Sequence, residues 1–358
     1  MHRLMRINAA NRNGLGRFYF VLALFSYLLA TITCTPSTAY KTLQGQAQGS
    51  TYTIQFEAPK TIDVKQLHTE VGQLLTSIDE SMSTYLESSI ISGLNRSEGD
   101  WFPVDDLFMR VLLSAIDVAQ ETEGAFDPTI GSVVQLWGFG YNEIRGDISE
   151  QNVQEALEST GFEHINVDSL RSSVRIPKEF SIDFNAIAQG FSVDTLALLL
   201  ESKGIKDYYV ELGGEVRAHG YNAQGEYWKI GIDRPNDVST VGRELYAIIS
   251  MNNQSLATSG NYRKYWVDKQ TGIKYAHTIN PNTGRPAMNQ LLSASILHAE
   301  ATMADAYATA CMVWGHSRCI EFLEGNAEYS GILIYTDDEE NWRTYYSPEL
   351  NISMVQIN

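Results

Sequence analysis

The sequence predicts an α+β fold, with mixed, mainly antiparallel sheets packed against helices in one domain. Two stretches, 63–82 and 105–124, space their apolar residues at a helical period. By contrast, 208–251 breaks into short alternating strands separated by Gly and Asn. No repeat, low-complexity linker or clear boundary divides the chain after its first 34 residues. At 358 residues, 44% of them hydrophobic, the chain can bury a substantial core.

Residues 1–34 carry Arg3, Arg6, Arg12 and Arg17 without an acid, then an apolar run from Phe18 to Ile32 that is short for a membrane span. This layout predicts a secretory leader over 1–34 and an exported mature chain over 35–358, with a retained N-terminal anchor as the alternative. Cys34 stands where bacterial lipoproteins place their acylated cysteine, although Thr31, Ile32 and Thr33 match that signal imperfectly. Lipid anchoring through Cys34 and simple cleavage nearby are both open.

From Thr38 to Phe56 the chain reads as strands around a turn containing Gly45 and Gly49. Asp63 then caps a helix whose stripe is Val64, Leu67, Val71, Leu74, Leu75, Ile78 and Met82. A second helix runs from about Asp105 to a stop at Gly124, and a shorter one from Asn152 to Ser159 ends at Gly161. Strands near Ser173–Ile176 and Phe180–Phe184 lead into a helix from Phe191 to Lys203, terminated by Gly204. DYYVELGG, EVRAHG, YWKIGID and LYAIISM are strands, LLSASILHA is another, and GILIYTDDEENWRTYYS reads as a closing hairpin. Between these last two, residues 301–315 form a helix. Its cysteine Cys311, with Cys319, reads as a pair of buried thiols, since a chain of this size needs no disulfide framework.

The formal charge of −17 becomes −21 once the leader's four arginines are removed. So acidic a body argues against a nucleic-acid partner, and any phosphate-bearing ligand would need a metal ion or a local cluster of donors. There is no Gly-Lys dipeptide for a P-loop, no Gly-x-Ser-x-Gly elbow or Ser-x-x-Lys pair, no metalloprotease spacing among the seven histidines and no Gly-x-Gly-x-x-Gly.

What remains is a set of oxygen-rich, glycine-flanked segments. In GAFDPTIG, Asp127 and Thr129 bracket Pro128 in a rigid turn. In SIDFNAIAQGF, Asp183 ends the predicted strand and Gly190 permits close backbone approach, so turn carbonyls could ligate a cation there; Asp183 as a plain turn residue is the other reading. Gly213 and Gly214 make either a bulge or a site of close ligand approach. Thr258, Ser259 and Gly260 form a polar turn, and His277 stands in a polar loop before Asn280, Pro281 and Gly284. Asp305 and Thr309 lie one helical turn apart, placing two oxygens on one face, half of a magnesium site. Thr302 and Asp305 equally have the spacing of a capping box.

Taken in order, these segments resemble the ApbE family of bacterial FAD:protein FMN transferases, from about Gly45 to Gly315. Ala304–Thr309 matches the family's Ala-Asp-Ala…Ala-Thr helix, and Asp183–Gly190 its Asp-Phe-x-Ala-Ile-Ala-x-Gly segment. The Ala-Thr-Ser-Gly, His-x-Ile-x-Pro-x-Thr-Gly and Ala-Phe-Asp-Pro-Thr elements appear at 257–260, 277–284 and 125–129. The resemblance implies an enzyme that binds FAD as substrate and Mg²⁺ as cofactor, releases AMP and leaves FMN on a Thr or Ser hydroxyl of a target flavoprotein subunit in a membrane redox complex. It places the metal on Asp305, Thr309 and the main-chain oxygen of Ala186. FAD contacts fall to Gln48, Tyr85, Ala125, Phe126, Asp127, Asp183, Gln189 and Ile279, and proton transfer to His277. Tyr85 and Phe126 offer rings for stacking. Gln48 stands where many relatives carry Met, and Gln189 where some carry Lys or Glu. Two other functions use the same residues: a magnesium-dependent FAD pyrophosphatase, and a flavin-binding protein without turnover.

Overall fold

The structure, a computed structural model, describes residues 39–140, 148–235, 244–261, 265–268, 271–350 and 352–354. The predicted leader and Cys34 lie outside them. Eight strands form one sheet in chain order, every neighbouring pair antiparallel: β1 (Tyr40–Ala47), β2 (Ser50–Glu57), β3 (Tyr208–Leu212), β4 (Glu215–His219), β5 (Gln254–Gly260), β6 (Leu291–His298), β7 (Ser330–Thr336) and β8 (Trp342–Tyr346). The mixed, mainly antiparallel α+β architecture is therefore the observed one.

Local chemistry sets the turns. Gln48 and Gly49 join β1 to β2 at φ 51° and 70°, the left-handed pair that a two-residue hairpin requires. Gly45 is not part of that turn. It lies inside β1 opposite Tyr52, whose ring occupies the space a Cβ would need. Gly213 and Gly214, at φ 68° and 118°, make the β3–β4 connection, so this pair is a hairpin turn and not a bulge.

Eight helices are described: α1 (Val64–Met82), α2 (Ile90–Asn95), α3 (Asp106–Glu121), α4 (Gly131–Leu136), α5 (Glu150–Leu157), α6 (Ala188–Ser202), α7 (Ala301–Trp314) and α8 (His316–Gly325). The Asp63 carboxylate caps α1 by accepting the Lys65 and Gln66 amides at 2.9 and 3.1 Å, and Leu67, Val71, Leu75, Ile78 and Met82 form its buried stripe. Asp105 caps α3 through the Phe108 amide at 2.7 Å. The strand expected over Phe180–Phe184 does not form; the segment makes one isolated parallel bridge, Ser181 to Ile130, and otherwise runs as a connection. Its apolar residues are buried against α3 and not in a ladder, as Phe184 edge-on to Phe108 shows.

The sheet separates two packing layers. On one side α1 and α6 cover β1–β3 through Leu67, Val71, Leu196 and Leu200. On the other, a three-stranded sheet of Trp228–Asp233, Leu245–Met251 and Ile352–Met354 packs on the main one. Strand alternation sorts the residues: in β7, Ile332 and Ile334 face the small sheet while Leu333 joins the helical core. Helix α7 is buried along nearly its whole length and apolar around most of its circumference, the mark of a central helix.

Cys311 and Cys319 form a disulfide and are not separate thiols. The helix break at Gly315 (φ 82°) folds α8 back on α7 and brings their Cα atoms to 5.1 Å. Closing a loop of this length stabilises the fold by about 2–3 kcal/mol on the chain-entropy account. The Cys311→Ser/Cys319→Ser double variant should therefore lose roughly that much in urea unfolding. An unchanged midpoint, with wild type insensitive to reductant, would show that the bridge contributes nothing.

Candidate active site where two helices cross

Between the sheet edge and the helices lies a cavity of about 980 Å³. Each residue to which the resemblance gives a role lines it: Gln48 at the hairpin tip, Tyr85 after α1, Ala125, Phe126 and Asp127 after α3, Asp183, Ala186 and Gln189 before and within α6, His277 and Ile279, and Asp305 and Thr309 on α7. Segments more than 250 residues apart in the chain thus share one wall.

The wall is organised by a backbone crossing. Gly190, in the first turn of α6, would meet the Ala301 main chain and lie 2.8 Å from the Asp305 Cβ if it carried a Cβ of its own. Its absence lets α7 press against α6, and the Asp305 Oδ2 accepts the Gly190 amide at 3.0 Å. That amide would otherwise reach back to the Ala186 carbonyl, four residues earlier. Among the described residues no hydrogen-bond donor reaches that carbonyl, and Ala186 and Asp305 both line the cavity. One turn further along α7, the Thr309 Oγ1 lies 3.3 Å from the Ser259 Oγ.

The capping-box reading of Thr302 and Asp305 is not what forms. Asp305 points away from its own helix end, and the α7 N-terminus is closed by Asp194 of α6. Burial pushes the Asp305 carboxyl up to about 7, and the Gly190 amide pulls only weakly the other way.

The donor set suits a hard cation. Among the described residues no three His, Cys, Asp or Glu side chains are grouped so as to hold a metal. One carboxylate, one hydroxyl and one carbonyl, all oxygen, fit an ion that keeps several waters or borrows phosphate oxygens.

Other residues frame the cavity. Asp127 accepts the Thr129 amide and hydroxyl at 2.8 and 2.6 Å and the Phe162 amide at 3.2 Å, while the Thr129 hydroxyl accepts the Gly161 amide at 2.7 Å. Its carboxyl is raised by burial, with these hydrogen bonds opposing. Asp183 accepts from the Asn185 amide at 2.6 Å, an Asx turn that shapes the loop presenting Ala186, and its own amide bonds Pro128 O at 2.8 Å. Gln48 donates to the Ser192 hydroxyl at 2.6 Å, and its buried Oε1 has no partner among the described residues. Tyr85 is 60% exposed at the cavity, whereas Phe126 is 3% exposed and belongs to the main core. The His277 ring stands edge-on to Phe139 at 6.4 Å.

Three cavity residues escaped the sequence reading as site residues. Asp79 follows Ile78 at the edge of the α1 stripe, and burial raises its carboxyl. Glu215 is 7% exposed at the start of β4, where a charge directly after two glycines was the available signal. Ser259 was placed in a turn, yet 258–260 is the end of β5, with Ser259 directed at α7.

The ApbE family model matches residues 48–333, most of the chain. The chain belongs to the ApbE family. A relative from Vibrio cholerae named FAD:protein FMN transferase is 38% identical over 302 residues, covering 83% of this chain and 88% of its own. Another of the same name, from Haemophilus influenzae, is 32% identical and covers 87% and 91%. Among solved ApbE structures, the flavin transferase ApbE from Vibrio cholerae superposes with a TM-score of 0.77 at 34% identity, over 87% of this chain and 97% of that one. The apo flavinyl transferase ApbE of Pseudomonas stutzeri gives 0.77 at 27% identity, over 87% and 95%. The ApbE fold and the α+β architecture therefore coincide.

Asp305 gives this site a pH signature. Its folded value of about 7 lies above the ordinary 3.8, so the fold binds its proton more tightly than the unfolded chain does. In metal-free protein this contribution is complete below pH 4 and is lost as pH rises through 7. Relative to wild type, Asp305→Asn should gain thermal stability between pH 5 and 8, and Mg²⁺ should stabilise wild type but not the variant above pH 7. Parallel melting profiles for the two proteins would contradict this.

Proposed function

We propose that this protein transfers FMN from FAD to a Ser or Thr hydroxyl of a target protein, with Mg²⁺ as cofactor and AMP as the released product. The observation that carries the reading is that Asp305, bonded to the Gly190 amide, lines the same cavity as Ala186 and Thr309, within a chain of the ApbE family. When bound, a divalent cation would supply charge neutralisation at the diphosphate, held by Asp305, Thr309 and Ala186 O.

The chain's own groups account for the remainder. Asp305 and Thr309 come from one rigid helix, so their oxygens keep a fixed separation, and the Asp183 turn aims the Ala186 carbonyl. The acceptor oxygen forms a bond to the FMN phosphorus while the bond from that phosphorus to the bridging oxygen breaks, and AMP departs with the bridging oxygen. His277, in the cavity wall, takes the hydroxyl proton. Tyr85, the exposed aromatic ring of the wall, offers a face to the isoalloxazine or adenine ring.

Export belongs to the same proposal. The Cys311–Cys319 bridge suits an oxidising compartment, and the Arg-led apolar segment at 1–34 suits a leader, so we assign action to the periplasmic side, on a subunit of a membrane redox complex, with Cys34 as the candidate lipid anchor.

Incubation with FAD and Mg²⁺, with and without a hydroxyl-bearing acceptor subunit, tests this by mass measurement of the acceptor and chromatography of the nucleotides. The expected result is an FMN adduct on the acceptor with one AMP per adduct. Rapid FMN release without acceptor would instead make the protein an FAD pyrophosphatase. Asp305→Ala should cut transfer by about 10²–10³-fold while the protein stays folded. His277→Ala should cost about 10²–10⁴-fold. Wild-type transfer in Asp305→Ala would remove the carboxylate from the reaction.

A further inference from the structure

The carboxylate that closes the N-terminus of α7 belongs to another helix. Asp194 stands one turn beyond Gly190 on α6 and is 6% exposed. Its Oδ1 accepts the Ala301 amide at 3.0 Å; its Oδ2 accepts the Thr302 amide at 2.8 Å and the Thr302 hydroxyl at 2.6 Å. Arg217 of β4 donates to the Oδ1 at 2.7 Å and also approaches Glu201, so the buried charge is balanced.

Set beside the Asp305–Gly190 bond, this makes a reciprocal clamp. Helix α6 sends a carboxylate to the amides at 301 and 302 of α7, and α7 returns one to the amide at 190 of α6. On each helix the carboxylate and the receiving amide lie about one turn apart, 190 and 194 on α6 and 301–302 and 305 on α7. A one-residue slip of α7 would translate it by about 1.5 Å and rotate it by about 100°, breaking both ends together and carrying Asp305 away from the Ala186 carbonyl. Among the described residues α7 has no side-chain cap of its own, since Glu300 makes none.

We propose that Asp194, held by Arg217, is a positioning residue that fixes the register of α7 and so sets the affinity of the Asp305–Thr309–Ala186 site for a divalent cation. This rests on the reading of that site given above. Asp194 is not among the residues that line the cavity; it acts through the helix.

The test is Mn²⁺ titration of the full chain, followed by the electron-paramagnetic signal of free Mn²⁺, with the transfer assay run across Mn²⁺ concentration. Asp194→Asn keeps one oxygen but turns an N–H towards the Thr302 amide. Its Mn²⁺ dissociation constant should rise about 10–100-fold, the range expected for losing an outer-shell support. Half-saturating Mn²⁺ for transfer should rise in step, and saturating Mn²⁺ should restore turnover to near wild type. Thr302→Val removes only the hydroxyl bond and should raise the constant about 2–10-fold. It carries the test if Asp194→Asn does not fold. Wild-type Mn²⁺ affinity in a folded Asp194→Asn or Thr302→Val protein would overturn the proposal, as would a turnover defect that saturating Mn²⁺ does not rescue. Failure of wild type itself to bind Mn²⁺ would overturn the cation site instead, a result that these variants cannot mimic.

Discussion

A carboxylate removed from water at the crossing of two helices is the constraint on which this molecule is built. Asp305 is buried, and its one amide partner, Gly190, exists as a partner only because that position has no side chain. Burying an ionised carboxylate with a single hydrogen bond is costly unless the group is neutralised or meets a cation. The surrounding residues make that cost structural: Ala304, Ala306, Ala308 and Ala310 give α7 a slim profile in the core, and β5 and β6 pack beneath it. Nothing in ordinary folding requires a carboxylate there, so its placement reads as chemistry.

The rest of the cavity follows from how main-chain turns are held. Asp127 and Asp183 commit carboxylate oxygens to neighbouring amides, and the Asp183 amide joins the two loops through Pro128 O. Their side chains work as frames, giving the wall a fixed outline despite its being made of loops. Gln189 fills the space above Gly213, so the β3–β4 hairpin turn and the first turn of α6 close on one another. The alternation of β4 and β5 sends Arg217 and Ser259 towards the helices while Val216 and Leu256 face the small sheet.

Much of this was legible in the sequence wherever the determinant was local. The α1 stripe, its Asp63 cap and the strands after Tyr208 depend on neighbours within a few residues, and they form where periodicity places them. The site residues could be named through the family's ordered motifs, and they converge on one cavity. What could not be read depends on distant partners. Asp194 lies 107 residues before the amides it caps, so Thr302–Asp305 looked like a local capping box. The disulfide required knowing that Gly315 turns α8 back on α7. Phe180–Phe184 has the apolar run of a strand but finds helices, not a ladder, to bury it. Asp79 carried no motif and Glu215 only its place after two glycines, and the tertiary fold brings both to the cavity.

The most direct measurement is anomalous diffraction from crystals soaked with Mn²⁺ and FAD. The account predicts one strong peak bounded by the Asp305 carboxylate, the Thr309 hydroxyl and the Ala186 carbonyl, beside the nucleotide's diphosphate. A peak elsewhere in the cavity, or FAD bound with its diphosphate remote from Asp305, would contradict it.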